Sequence, residues 1–302
     1  MDSSTRHVRL HEVAPRDGLQ NEKVVLSTVT KLELIERLAR ARPASIEVGS
    51  FVRPDLVPQM ADTPAVCEAL AQAPWAAEAR AAGVRFAGLV PNRRGFERIL
   101  ETELEEVTLL VSATDGHSRA NVGKSVAEAL EESCGLISEA KLAGRFSRLY
   151  ISMAFRCPIE GRIDPAKVLE ITRAVYEAGA DRILLSDTLG VAEPPDVGEL
   201  VEGSLGFAEP SRLGLHMHDT YGHAVENCQL AWQLGLNDFD AATGGTGGCP
   251  FAPGAKGNLA SEELIEALPA WGASSGTDLA ELRQTATWLK AELLRGQPLA
   301  ES

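Results

Sequence analysis

Eight short apolar runs alternate with stretches of helical pattern along this chain, and that alternation most restricts what it can fold into. The runs cover residues 8–14, 45–50, 85–90, 106–112, 148–155, 182–187, 212–218 and 238–243, most of them rich in Val, Ile or Leu. Short apolar runs of this kind suit parallel strands buried on both faces. The segments between them carry helix starts and stops. Thr30 and Glu33 have the spacing of a capping box ahead of Leu34, Ile35 and Leu38. Asp164 followed by Pro165 reads as an N-cap and a first helical residue, and Gly179 ends that helix just before the next run.

Eight β/α units in about 250 residues predict an α/β protein with a (β/α)₈ TIM barrel. An open doubly wound sheet is the rival. No G-x-G-x-x-G follows the first run, which weakens its dinucleotide-binding form. No linker rich in Pro, Gly or Ser divides the 302 residues. The chain therefore reads as one domain, residues 1–302, with a C-terminal helical tail from about residue 272.

Charge narrows the partners. Asp and Glu number 43 against 29 Lys and Arg, a formal charge of −14. Such a chain is a poor general binder of nucleic acid or of an anionic membrane, so neither is expected as a partner. No uncharged apolar stretch reaches the roughly 18 residues of a membrane span. The first run starts near Val8, which leaves no room for a transit peptide. The five cysteines are odd in number and contain no C-x-x-C pair, against a disulfide framework or a cysteine-rich zinc site. A reducing cytoplasm is the expected compartment, and a homodimer the expected assembly.

Polar residues gather where the runs end. Arg16 and Asp17 follow the first, Glu47 lies in the second, Asp187 ends the sixth, and His216 and His218 end the seventh. After the eighth come a glycine-rich segment with Cys249, then Asn258 and Glu262. In a barrel these positions share the C-terminal rim, where barrel enzymes build their sites. His216 and His218, two apart on a strand, point the same way. They are either two histidines satisfied by neighbouring loops or a pair for one cation. Asp17 could add a carboxylate and Asn258 an amide oxygen. Two nitrogens and two oxygens suit Mg²⁺ or Mn²⁺, with Zn²⁺ or Co²⁺ as alternatives. Arg16 either pairs with Glu47 or another rim carboxylate, or holds a carbonyl oxygen as charge grows there, and one side chain could do both. Glu47 and Asp187 read as supports that pair with Arg16 or the histidines. Cys249 is either an inert thiol or part of a mobile lid.

At these residues the chain resembles 3-hydroxy-3-methylglutaryl-CoA lyases. The likeness rests on Arg16 to Glu22, Ser50-Phe51-Val52 with Val57 to Met60, Gly190 after Asp187-Thr188, His218 to Gly222, and Gly247 to Pro250, and runs from about Val8 to about Leu268. The resemblance implies a metal-dependent carbon–carbon lyase that splits an acyl-CoA into acetyl-CoA and acetoacetate. It implies Asp17, His216, His218 and Asn258 as metal ligands, and Arg16 as the group that polarises the thioester carbonyl. Cys249 matches the catalytic-loop cysteine. Glu47, Asp187 and Glu262 match acidic residues near the site, and Asp17 or His216 could serve as acid or base. Residues 112–121, residues 154–157 and Arg53 depart from the family pattern. They bear on the acyl group, so a longer branched or citramalyl-type substrate is the alternative. A catalytically inactive CoA-binding scaffold is the reading from another class, and the complete ligand set argues against it.

Overall fold

The computed structural model describes residues 6–247 and 257–295. Eight parallel strands close into a barrel: β1 (Arg9–Glu12), β2 (Ser45–Ser50), β3 (Arg85–Leu89), β4 (Glu106–Ser112), β5 (Phe146–Ser152), β6 (Arg182–Asp187), β7 (Leu213–Met217) and β8 (Asp238–Ala241). Each strand pairs with its successor in the chain, and β8 returns to β1 with Arg9 opposite Asp238 and Glu12 opposite Ala241. Helices follow the strands and cover the ring, so the (β/α)₈ barrel expected from the alternation is the fold. A short antiparallel hairpin of Arg156–Cys157 with Gly161–Arg162 lies outside the ring.

Local chemistry sets the boundaries. The predicted first strand stops two residues early, because Ala14–Gly18 winds into a π-helical turn in which the N–H groups of Arg16, Asp17 and Gly18 converge on the Val13 carbonyl. The fifth begins two residues earlier than expected and stops at Ser152, since Met153 takes φ +58° and cannot extend the strand. The seventh loses an end to the turn Pro210–Arg212, and the eighth gives way to the turn Thr243–Gly245. The first helix, Thr28–Ala41, starts before Thr30: Ser27 is its N-cap and accepts from the Thr30 N–H, so the predicted capping box at Thr30 is replaced by a cap three residues upstream. Asp164 caps Pro165–Glu177 as predicted, and Gly179 follows at φ +95°.

Strand parity separates two interiors. Leu10, Ile46, Phe86, Leu149, Ile183, Leu215 and Phe239 face the helices in the main core. Inside the barrel the apolar content shrinks to Leu89, Tyr150 and Leu184, with Leu110 beside them. Most of the remaining inward side chains are polar or charged. Asp238, fully buried, takes Arg9 Nε at 2.9 Å, His11 Nε2 at 2.7 Å and Arg182 Nε at 3.0 Å near the barrel floor. Arg148 sits above it, with Nη1 3.5 Å from Asp238 and Nη2 bonded to Asp240. Burying charge is costly unless each group is paired, and here the signs alternate. The last helix, Leu279–Arg295, packs on Thr28–Ala41 through buried Leu282, Thr285 and Leu289. Among the described residues no helix is long and apolar enough to cross a membrane, and Cys67, Cys134, Cys157 and Cys228 are free thiols.

Candidate metal centre at the barrel rim

The π-helical turn after β1 turns Arg16 and Asp17 back over the barrel mouth. Gly18 ends it with no room for a side chain, since an added Cβ would collide with Thr246 Oγ1. Asp17 then faces β7, where the two histidines share one side. Nε2 of His216 and Nε2 of His218 each lie 3.8 Å from Asp17 Oδ2, and the three ligand atoms fall within 4.8 Å of one another. That separation is too long for a hydrogen bond. It falls within the roughly 4.4 Å that two donors can span around one shared cation. All three residues are buried or nearly so.

Asn258 completes the group. It bridges to His218 across the end of β7, and its Nδ2 donates to Asp17 Oδ2 at 2.9 Å and to the Thr246 carbonyl at 3.0 Å. Those two bonds leave Oδ1 buried without a partner among the described residues. An unpaired buried oxygen beside two imidazoles and a carboxylate is a donor awaiting a cation, so the residues fit a divalent metal. Asp17 is held well below the usual carboxylate range: burial opposes ionisation, and Arg16, His216, His218 and the Asn258 bond outweigh it. Burial, helped by the charge of His216, pushes His218 down to about 4 and keeps it neutral, the form that binds metal.

Arg16 takes the pairing role its sequence context allows. Its Nε donates to Glu47 Oε2 and its Nη1 to Asp17 Oδ1, and its guanidinium lies 5.5 Å from the Tyr150 ring centre. Burial opposes its charge, yet Glu47 and Asp17 hold its pKa above the ordinary arginine value. Glu47 goes the other way, raised by burial despite Arg16.

The model of the HMGL-like family matches residues 7–289. An (R)-citramalyl-CoA lyase from Chloroflexus aurantiacus is 41% identical over 294 residues, 97% of this chain and 92% of that protein. The chain belongs to the HMGL-like family. Among solved structures similar to this HMGL-like chain, an HMG-CoA lyase from Brucella melitensis has a TM-score of 0.90 and 38% identity, covering 96% of this chain and 99% of that one. An HMG-CoA lyase from Acinetobacter baumannii, solved with coenzyme A and 3-methylmalate, has a TM-score of 0.88 and 32% identity, covering 99% and 95%.

Of the two remaining acidic residues of this HMGL-like site, Asp187 stands differently from expectation and Glu262 lies at the rim. Asp187 was expected to pair with Arg16 or the histidines. It follows the helix-facing parity of β6, and its carboxylate accepts from the Ala192 N–H at 2.8 Å, closing the turn after the strand. Burial raises its pKa although backbone N–H groups from Leu189 to Ala192 offset part of that. Glu262 lies in the first turn of Ser261–Trp271, where its carboxylate accepts from the Gly244 N–H at 3.1 and 3.2 Å and anchors the glycine segment. Cys249 lies outside the described residues.

Sequence reasoning missed three residues that organise the family site. Asp240 accepts from His216 Nδ1 at 3.3 Å, and the Tyr150 ring meets the His216 ring edge-on at 5.1 Å. Glu12 receives Thr243 N–H at 2.9 Å, Thr243 Oγ1 at 2.7 Å, Ser261 Oγ at 2.6 Å and Ala14 N–H at 2.9 Å, tying β1 to the segments that carry the rim. The available signal was period two: Asp238 and Asp240 point the same way in a strand otherwise apolar.

Proposed function

We propose that this chain cleaves 3-hydroxy-3-methylglutaryl-CoA to acetyl-CoA and acetoacetate. The observation that carries the reading is the convergence of His216, His218 and Asp17 on one point with the Arg16 guanidinium beside it. Asp17, His216, His218 and Asn258 would hold the cation, Mg²⁺ or Mn²⁺, on the strength of their mixed nitrogen and oxygen donors. When bound, such a cation supplies Lewis-acid chemistry that lowers the pKa of the substrate's tertiary alcohol.

The chain's own residues do the rest. Asp17 or His216 takes the hydroxyl proton as the C2–C3 bond breaks. C3 becomes the ketone of acetoacetate, and the bonding pair moves onto C2 as a thioester enolate. Arg16, permanently charged and aimed over the mouth, stabilises the enolate oxygen. Its anchors Glu47 and Asp17 keep it in place without reorganisation. A proton delivered to C2 then releases acetyl-CoA, and Cys249 is the proposed donor. Glu262 and Asp187 act on position, Glu262 through the glycine segment and Asp187 through the turn after β6. An acyl-CoA is therefore the partner, and no nucleic acid or membrane is. The cytoplasm is the proposed compartment, in keeping with the free thiols. A homodimer is the proposed assembly, the commonest closed arrangement of soluble chains.

A citramalyl-type substrate is the second reading, supported by the 41% identity to the citramalyl-CoA lyase. The same bond cleavage on that substrate gives acetyl-CoA and a 2-oxo acid in place of acetoacetate. One experiment tests both: a panel of 3-hydroxyacyl-CoA thioesters with Mn²⁺ or Mg²⁺, measuring acetyl-CoA and its co-product. Acetyl-CoA with acetoacetate, abolished by EDTA, supports the first reading. A 2-oxo acid as the preferred co-product supports the second. No acetyl-CoA from any thioester overturns both and leaves the inactive scaffold.

A further inference from the structure

A column of buried charge runs inside the barrel from its floor to the candidate metal centre. Asp238 gathers Arg9, His11 and Arg182 at the base. Arg148, 2% exposed, spans the next layer, with Nη1 3.5 Å from Asp238 Oδ1 and Nη2 bonded to Asp240 Oδ1. The second oxygen of Asp240 meets His216 Nδ1 at 3.3 Å. Its members come from five strands, β1, β5, β6, β7 and β8, so the column is fixed by barrel closure.

An imidazole has two nitrogens, and a hydrogen bond to one decides which is free to bind metal. His216 Nδ1 is taken by Asp240, which leaves Nε2 facing Asp17 at 3.8 Å. The Tyr150 edge limits rotation of the same ring. Arg148 in turn holds the Asp240 carboxylate, so that it cannot swing toward the cation itself. His218 has no such support: its Nδ1 is buried without a partner among the described residues. The two histidines therefore differ in how firmly they are aimed.

We infer that Asp240, clamped by Arg148, is a positioning residue that fixes the His216 ring and presents its Nε2 to the metal, making His216 the preorganised histidine ligand of the pair. This rests on the reading of the site as a metal centre. Loss of a carboxylate behind a ligating histidine typically weakens metal binding about 10- to 100-fold.

The test is Mn²⁺ binding to the full chain, followed by electron paramagnetic resonance. Asp240→Asn should bind Mn²⁺ about 10- to 100-fold more weakly than wild type while keeping its circular dichroism spectrum. Because that variant leaves Arg148 facing an uncharged amide, Asp240→Asn with Arg148→Met is measured as well, and should show the same loss with its fold retained. In a His216→Ala background, Asp240→Asn should add no further loss, since the ligand it aims is gone. Wild-type affinity in either folded Asp240 variant overturns the inference, as does a full additional loss in the His216→Ala background. Asp17→Ala serves as the control on the site itself. If it binds Mn²⁺ as tightly as wild type, the metal-centre reading falls and this inference falls with it. If Asp17→Ala loses the ion while Asp240→Asn retains it, only this inference fails.

Discussion

Arg16 holds two carboxylates with one guanidinium and is 5% exposed. From sequence it is a rim side chain whose loss should spare the fold. Its burial between two carboxylates makes its loss costly to the fold as well. Arg16→Met should cut turnover by roughly 10²- to 10³-fold, the usual loss for one oxyanion-stabilising donor. It should also cost stability, on the order of 3 kcal/mol, because Glu47 is left buried without its counter-charge. Protonation of Glu47, whose pKa is already raised by burial, relieves part of that cost. Single-turnover kinetics and a urea titration measure the two effects. A variant with near wild-type kcat would remove Arg16 from the chemistry, and one with an unchanged urea midpoint would contradict the burial argument.

At the scale of the element, β7 shows how a strand without bulk carries a site. Gly214, two residues before His216, passes the Asp238 carbonyl so closely that an added Cβ would lie 2.6 Å from that oxygen and 2.8 Å from Leu184 Cδ1. The carbonyl is backbone and cannot swing aside. Gly214→Ala should therefore cost at least the roughly 1–3 kcal/mol typical of overpacking, and should weaken Mn²⁺ binding because His216 moves with the strand. Gly135 is the contrast. It lies inside the helix Val126–Leu142 with nothing near an added Cβ. Gly135→Ala should stabilise by about 0.5–1 kcal/mol through helix propensity and leave Mn²⁺ binding alone. Urea midpoints for the two variants moving in the same direction would contradict this account of the glycines.

The whole molecule carries two opposed sets of buried carboxylates. Burial raises the pKa of Glu12, Glu47 and Asp187, so each binds a proton more readily folded than unfolded, and stability gains as pH falls through their folded values. Asp238 and Asp240 are lowered: burial opposes their charge, but His11 and Arg182 outweigh it for Asp238, and Arg148 and His216 for Asp240. Their contribution is present above the unfolded value near 4 and is lost as pH drops below it. His218, held at about 4 in the metal-free fold, works against the raised set as pH falls from its unfolded value of about 6.5. The urea midpoint of the metal-free protein should therefore change little from pH 7 to the mildly acidic range and fall below about pH 4. A steady decline from pH 7 downward would show that the raised set does not matter. Added Mn²⁺ at about a hundred times its Kd should stabilise the folded chain by about 2.7 kcal/mol at neutral pH, raising the thermal midpoint by several degrees, and EDTA should reverse it. No shift in calorimetry would count against the metal centre.

The alternation of apolar runs and helix signals was enough to read eight strands in order and the barrel they close, because burial on both faces imposes its pattern residue by residue. The same-face spacing of His216 and His218 was legible for the same reason, as were the polar residues at strand ends. Strand limits were less so. The π-helical turn at Ala14–Gly18 and the left-handed Met153 depend on what the chain meets next, and local propensity does not record that. The Arg16–Glu47 pair was among the sequence's alternatives, but tertiary structure decided most other pairings. Asp187 serves a turn and Glu262 a glycine segment, while Asp240, from the neighbouring strand, stands behind His216. Those choices follow from barrel closure, which brings β7 and β8 side by side and leaves each buried charge to find its partner across strands distant in sequence.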